Sequence, residues 1–187
     1  MAIASALSFS IDTQVSRFTV QAFASGFASV VAHDPKFAVR DFTGDVHLDP
    51  DNFGSYSVNA SIRLRSLDLT DEVSEFDRSE IERVMFEEVL EVDSFPEATF
   101  TASGLTTDEI SSNIYRAELK GQLCLHGRTQ PLTFSTQVIS GEDSIRAQGE
   151  IALNPSAFGI RLPSVARGVI KMKDHVKIGF FMIGRKP

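Results

Sequence analysis

The chain has one cysteine, Cys124, and no tryptophan. A single thiol excludes an internal disulfide framework and any metal site built on several cysteines. Tyrosine is scarce as well, two against fifteen phenylalanines, so the ring bulk comes from side chains with no polar handle. Basic residues are short: 18 Lys and Arg against 25 Asp and Glu leave a net charge of −7. That argues against nucleic acid as the main partner, because phosphate binding needs a basic face. No apolar run approaches the roughly 18 residues of a membrane-spanning helix. The longest, Val20 to Ala32, is interrupted by Gln21, Ser25, Gly26 and Ser29. Met1 to Ser10 carries no Lys or Arg ahead of its apolar residues and is too short for a secretory signal. The expected location is cytoplasmic, or periplasmic if a leader has been removed.

Catalytic signatures are missing too. There is no Gly-x-Ser-x-Gly elbow and no glycine-rich phosphate loop. The four histidines, His33, His47, His126 and His175, show no i, i+2 or i, i+4 pair, so no local metal site is expected. Cys124 has no activating neighbour in the sequence and reads as packing. No catalytic residue, metal or cofactor is expected.

What is present is alternation. Tyr56, Val58, Ala60, Ile62 and Leu64 alternate with polar residues, as a half-buried strand requires. The pattern recurs at Ala117 to Leu125, Leu132 to Val138, Ile145 to Leu153 and Val176 to Met182, and Phe9 to Ala24 reads as one or two more strands. Phe37 and Val39 lie on odd positions whereas Phe42, Gly44, Val46 and Leu48 lie on even ones, so an extra residue near Asp41 predicts a β-bulge. Asp49-Pro50-Asp51-Asn52, His126-Gly127-Arg128-Thr129 and Ser140-Gly141-Glu142-Asp143 read as hairpin connections. About eight short strands argue for an all-β sandwich or barrel. One segment differs: Ile81, Val84, Met85 and Val89 recur at helical spacing, and Ser79 with Glu82 has the form of a capping box. A helix is predicted over about 79–90, ended before Pro96. With no repeat or linker, residues 1–187 form one domain, mainly β with one inserted helix.

The inward faces carry the functional question. Ala117, Gly121, Ala147 and Gly149 alternate with Leu119, Leu123, Ile151 and Leu153 on what read as two neighbouring strands. Either small residues meet large ones across a solid core, or they leave room for one ligand inside a barrel of about eight strands. Phe18, Phe42, Phe100 and Phe134 would line that room, and a wall this poor in polar groups suits a hydrocarbon.

Several segments, taken in order, resemble the YceI-like proteins. Phe95-Pro96-Glu97-Ala98-Thr99-Phe100-Thr101-Ala102-Ser103 looks like that family's "yP-x-I-x-F-x-S" strand. Leu123-Cys124-Leu125-His126-Gly127-Arg128-Thr129-Gln130-Pro131-Leu132 is similar to its "L-t-I-h-G-v-t-k-p-v" hairpin, and Ala157-Phe158-Gly159-Ile160 to its "d-F-G-i" loop. Ser8 to Asp12 matches its opening strand, Phe42-Thr43-Gly44-Asp45-Val46 its "F-x-G-x-i" strand, and Ser66-Leu67-Asp68 its "S-i-d" strand end. The family's usual "D-x-x-H-S" is Asp12-Thr13-Gln14-Val15-Ser16 here, without the histidine; His33 is the nearest substitute. The Arg that commonly precedes the late loop is also absent, with Asn154 in that region.

The resemblance implies an eight-stranded antiparallel lipocalin-like barrel with a helix beside it. It also implies an apolar pocket for a polyisoprenoid or another long-chain amphiphile, and dimers occur in the family. The expected ligand-binding residues are Phe18, Val20, Phe27, His33, Phe42, Ile62 and Leu64 from the first half of the chain. From the second come Phe100, Leu119, Leu123, Phe134, Phe158 and Ile160, the last two in a loop near the mouth that can act as a lid. Phe42→Asp or Leu123→Asp is expected to abolish uptake.

The leading reading is a non-catalytic carrier whose partner is a long-chain lipid, with possible homodimerisation, no transmembrane segment and at most transient membrane contact. Two others stand beside it: an interaction module with a solid core that docks through the acidic helix, and a hydrolase-type enzyme using His33 or His175. Asp71 to Glu97 holds eleven acidic and two basic residues, whereas Arg161 to Pro187 holds seven basic and one acidic. The basic end suits a phosphate head group or an anionic surface, and also a plain solvated face. Lys171, Lys173 and Lys177 share one strand face, as on a protected edge.

Overall fold

The computed structural model describes residues 7–25, 34–48, 56–162, 164–165 and 170–187. Its strands are β1 (Leu7–Ile11), β2 (Arg17–Ser25), β3 (Lys36–Val39), β4 (Phe42–Leu48), β5 (Tyr56–Arg63) and β6 (Leu67–Leu69). After the helix α1 (Glu75–Arg83) come β7 (Glu97–Ser111), β8 (Ile114–Leu125), β9 (Arg128–Ser140), β10 (Ser144–Leu153), β11 (Ser164–Val165) and β12 (Ile170–Arg185).

Eight of them close a ring in the order β1-β4-β5-β7-β8-β9-β10-β12, with β12 returning to β1 through Ser10↔Arg185 and Ile11↔Gly184. Every pairing in the ring is antiparallel. Of the remaining four, β2 and β11 pair with β12, β3 with β2 and β6 with β3. The architecture is therefore a closed barrel and not a sandwich, because β12 has a partner on each side.

Three breaks in the chain lie between paired extensions, and each has a cause. Val39 and Phe42 are both buried while Arg40 and Asp41 between them are both exposed, which is the extra residue the alternation predicts. Ser66 stitches this bulge: its hydroxyl accepts from Asp41 N at 2.9 Å and its carbonyl from Arg40 N at 3.1 Å. Leu64 to Ser66 turn as a short 3-10 segment opposite it. Between β1 and β2, the hydroxyl of Ser16, 2% exposed, accepts from Ile183 N at 3.0 Å. A buried amide left without a ladder partner would otherwise be costly.

The hairpin at His126-Gly127 has φ of 51° and 69°, the left-handed pair of a two-residue turn. Gly141 N donates to Ser144 O at 2.7 Å in the next hairpin. The connection expected at 49–52 lies outside the described residues.

The helix differs from its expected range. It begins at Glu75, capped by Ser74, whose hydroxyl accepts from Asp77 N at 3.1 Å; Ser79 lies inside it. The same motif, a hydroxyl with an acid three residues on, occurs twice here, and the earlier copy wins because it follows the chain's exit from β6. From Val84 to Val89 the helix widens into a π turn, with Leu90 N donating to Met85 O at 2.9 Å. Met85, with Ile81, Phe86 and Leu90 beside it, packs into a cluster with Phe37, Val39, Leu67 and Leu69. The helix thereby closes the β3–β6 end of the barrel.

Candidate ligand-binding lumen

Inside the ring, the inward positions are Val58, Ala60 and Ile62 on β5, Ala98, Phe100 and Ala102 on β7, and Ala117 to Leu125 in alternate steps on β8. β9 lies between β8 and β10, so the two small-and-large strands are not neighbours as the sequence suggested. The room beside their glycines is also partly taken. A Cβ on Gly121 would lie 2.7 Å from Phe100 Cζ, and one on Gly149 would lie 2.8 Å from Phe180 Cζ. Each glycine gives a neighbouring ring a place to lie against the wall.

The rings form a continuous chain across the interior. Phe42 meets Phe18 edge-on at 5.1 Å, Phe18 meets Phe180 at 6.3 Å, Phe180 meets Phe134 at 5.7 Å and Phe134 meets Phe100 at 5.5 Å. Phe18, Phe100, Phe134 and Phe180 all point inward, yet each is only half-buried. In a close-packed interior such rings would be sealed. Val20, Ile62, Leu123, Val138, Ile151 and Ile178 share this half-buried state on the same inner surface. The inner surface in the middle of the barrel is thus apolar and partly accessible.

Of the residues expected to bind ligand, Phe18, Val20, Ile62, Phe100, Leu123 and Phe134 fall on this surface. Leu119 is buried with Ala102 and Ala117 in a small cluster under Phe100 and Phe134. Phe42 is 5% exposed and belongs with Leu64 to the cluster beneath the helix, so Phe42→Asp tests folding and not uptake. Leu64 misleads in the sequence because the alternation of β5 runs into it, although the chain has already turned there. Phe27 and His33 lie outside the described residues. Phe180 and Ile178 were missed; the regular Val176, Ile178, Phe180, Met182 alternation could have placed them.

The loop expected as a lid is pinned. Phe158 and Ile160 are 3% and 5% exposed. Asp174 accepts from Ser156 N at 2.8 Å and from the Ser156 hydroxyl, and these bonds hold its carboxyl below the ordinary aspartate range. Gln130 Nε2 donates to Ala157 O at 3.1 Å. Gly159, at φ 76°, has the Arg128 guanidinium where a Cβ would stand.

The sequence profile of the YceI-like domain matches residues 9–182. The chain belongs to that family. Its relatives include a UPF0312 protein of Vibrio cholerae, 28% identical over 142 residues, 73% of this chain and 69% of that one. A UPF0312 protein of Yersinia enterocolitica is 31% identical over 135 residues, 72% of this chain and 59% of that one. Two solved structures share the fold. BcnA of Burkholderia cenocepacia superposes with a TM-score of 0.70 at 20% identity, covering 92% of this chain and 98% of that one. A polyisoprenoid binding domain from Saccharophagus degradans, implicated in plant cell wall breakdown, gives 0.68 at 14% identity, covering 97% and 99%.

Within this YceI-like barrel the histidines among the described residues stay on the outside. His175 stacks on Phe23 at 5.5 Å on the outer face, which removes it as an acid or base for a lumenal substrate. His126 packs on Phe95 at 4.3 Å, and its Nε2 lies 2.8 Å from Glu91. His47 pairs with Asp45 at 3.1 Å. Among the described residues no three His, Cys, Asp or Glu side chains converge as metal ligands. Where the family's histidine is missing, Asp12 pairs with Arg185 at 2.7 Å, a bond that lowers its carboxyl pKa. Two lysines of the basic end are similarly engaged, Lys177 with Glu150 at 2.7 Å and Lys186 with Asp143 at 3.2 Å. Among the described residues no helix is long and apolar enough to cross a membrane.

Proposed function

We propose that the barrel holds one long apolar chain, polyisoprenoid or fatty-acyl, along its phenylalanine-lined middle, and that it works by binding without catalysis. The observation carrying this reading is the set of inward rings, Phe18, Phe100, Phe134 and Phe180, that remain half-buried. A hydrocarbon would cover the surface they leave bare and gain about 0.8 kcal/mol for each methylene buried. A long chain is therefore held without an ionic contact, which fits a wall whose described charges all face outward. That a domain of the same fold from Saccharophagus degradans is described as polyisoprenoid binding supports the same class of ligand.

Native mass spectrometry of the purified protein, followed by organic extraction, tests the reading. A stoichiometric adduct of isoprenoid or acyl mass is the expected result, and Leu123→Asp or Phe134→Asp should lose it while remaining folded. A bare polypeptide mass that persists after polyprenyl and fatty-acyl lipids are added would overturn it. Docking through the acidic helix would then take its place, and one observation favours that alternative: Phe76, in the first turn of α1, is 80% exposed.

A further inference from the structure

The wall of the barrel is not zipped equally all the way round. β8 pairs with β9 from Ile114↔Ile139 to Leu125↔Arg128, and β10 pairs with β12 from Ser144↔Arg185 to Leu153↔Val176. β9 and β10 pair only from Ser140↔Ile145 to Gln137↔Gln148. Beyond that rung, Gly149 to Leu153 has no ladder partner on the β9 side. At about 3.3 Å per residue, the part of this edge beyond Gly149 makes a slot.

The parting is built into the side chains. Thr136, 5% exposed, donates its hydroxyl to Gln148 O at 2.9 Å and so occupies the first carbonyl that the ladder abandons. Outside, Gln148 Nε2 donates to Gln137 Oε1 at 2.8 Å and clasps the last closed rung. The other end of the slot is bounded by the pinned turn at Pro155–Phe158, through Gln130 and Arg128. Behind the slot, Phe134 and Phe180 meet edge-on.

An open surface cleft of about 470 Å³ lies on the outside of this part of the wall. It is lined by the outward residues Gln137, Gln148, Glu150 and Phe181, and also by Gly149 and Phe180, whose ring belongs to the lumen. Gly149 itself is flanked by the Phe180 ring and by Ser135 O of β9, so the parting begins beyond it. The slot runs toward the helix-covered end, where Phe37, Leu69 and Met85 close the mouth itself.

We infer that the seam between β9 and β10 is a lateral portal through which one hydrocarbon chain passes between the outer cleft and the lumen, gated by the Phe134–Phe180 ring pair. This rests on the lumen reading above. The occupant is a single chain, because the parting lies within one strand pair. Its inner lining, Leu132, Phe134, Gly149 and Ile151, carries no charge.

A disulfide across the seam tests it. Continuing the register of Gln137↔Gln148 places Ser135 opposite Glu150, so Ser135→Cys with Glu150→Cys, in a Cys124→Ser background, staples the slot shut. Stopped-flow exchange of the fluorescent polyene cis-parinaric acid is the readout. In the oxidised protein, uptake and release should both slow by about tenfold or more, with little change in equilibrium affinity, because a gate alters the barrier and not the end states. Reduction should restore both rates. A control staple, Thr129→Cys joined to the native Cys124 opposite it on the intact β8–β9 ladder, should leave them unchanged. If the seam pair fails to oxidise, a short bis-methanethiosulfonate linker joining the same two thiols fills the same gap and should slow both rates likewise. Equal rates with the seam stapled or filled would overturn the portal while leaving the lumen in place. No uptake of the probe by the reduced protein would remove the lumen reading, and the portal with it.

Discussion

At the helix-covered end of the barrel, Phe37 and Leu69 are 5% and 2% exposed, locked among Val39, Leu67 and Met85. A few residues along the same wall, Phe18, Phe100, Phe134 and Phe180 also point inward and stay half-buried. The strands in both regions carry the same alternation of apolar and polar residues. What differs is the neighbour: at the end, α1 and the π turn add a second layer that fills the space between rings, whereas in the middle Phe18 and Phe180 touch that cluster from one side and Phe100 and Phe134 lie over the small Ala102–Ala117 cluster. Close packing needs partner atoms on every side, and a barrel of eight strands supplies them at its centre only if its side chains are long enough to meet.

The sharpest break of this comparison is a pair of ring deletions. Phe37→Ala should cost about 3–5 kcal/mol in urea unfolding, as for a sealed core phenylalanine. Phe134→Ala should cost only about 1–2 kcal/mol, because less of its area is removed from water. Equal costs would mean that the middle is packed like the end.

The glycines sharpen the same contrast. Gly121→Ala would bring a Cβ against Thr101 O and 2.7 Å from Phe100 Cζ, and should destabilise by about 1–3 kcal/mol as the ring is driven into the lumen. Gly104→Ala, with nothing within 4 Å of its Cβ, should stay within about 0.5 kcal/mol of wild type.

A weaker lever acts on the cap alone. Ser74→Ala removes the bond to Asp77 N and should cost about 1 kcal/mol, read as faster amide exchange in α1 with the β8–β9 amides unmoved.

The smallest effect expected is electrostatic. Asp174 is held below its ordinary pKa of 3.8 by its bonds to Ser156, so the folded state favours the ionised carboxylate. The stability it contributes is present above the ordinary value and lost as pH falls through the lowered one. Amide exchange over residues 155–160 should therefore rise relative to the barrel wall on acidification below about pH 4, and Asp174→Asn should raise it already at neutral pH.

Much of the wall was legible in the sequence because strand alternation is a local property. The phase change at Asp41 predicted the bulge, and His126-Gly127 predicted its turn, since each depends on residues within a few positions. The helix start was misplaced because Ser74 and Ser79 each offer a hydroxyl three residues ahead of an acid, and only the exit from β6 chooses between them. Leu64 was placed on the wall because its parity continues that of β5, and parity carries no sign of where a strand stops. The pinned loop was unreadable: Asp174 and Gln130 hold it from strands far off in sequence.

By itself the sequence determined a mainly β chain of one domain, with an interior rich in phenylalanine and poor in polar groups, because side-chain parity and composition act over short distances. Only the tertiary structure decided that the sheet closes, since closure depends on β12 finding β1 across nearly the whole chain. It alone decided which rings are sealed and which are bare, because burial depends on what stands opposite. The seam between β9 and β10 belongs there too, for a ladder's length is set by two strands and a hydroxyl between them, and neither strand's sequence shows where the other turns away.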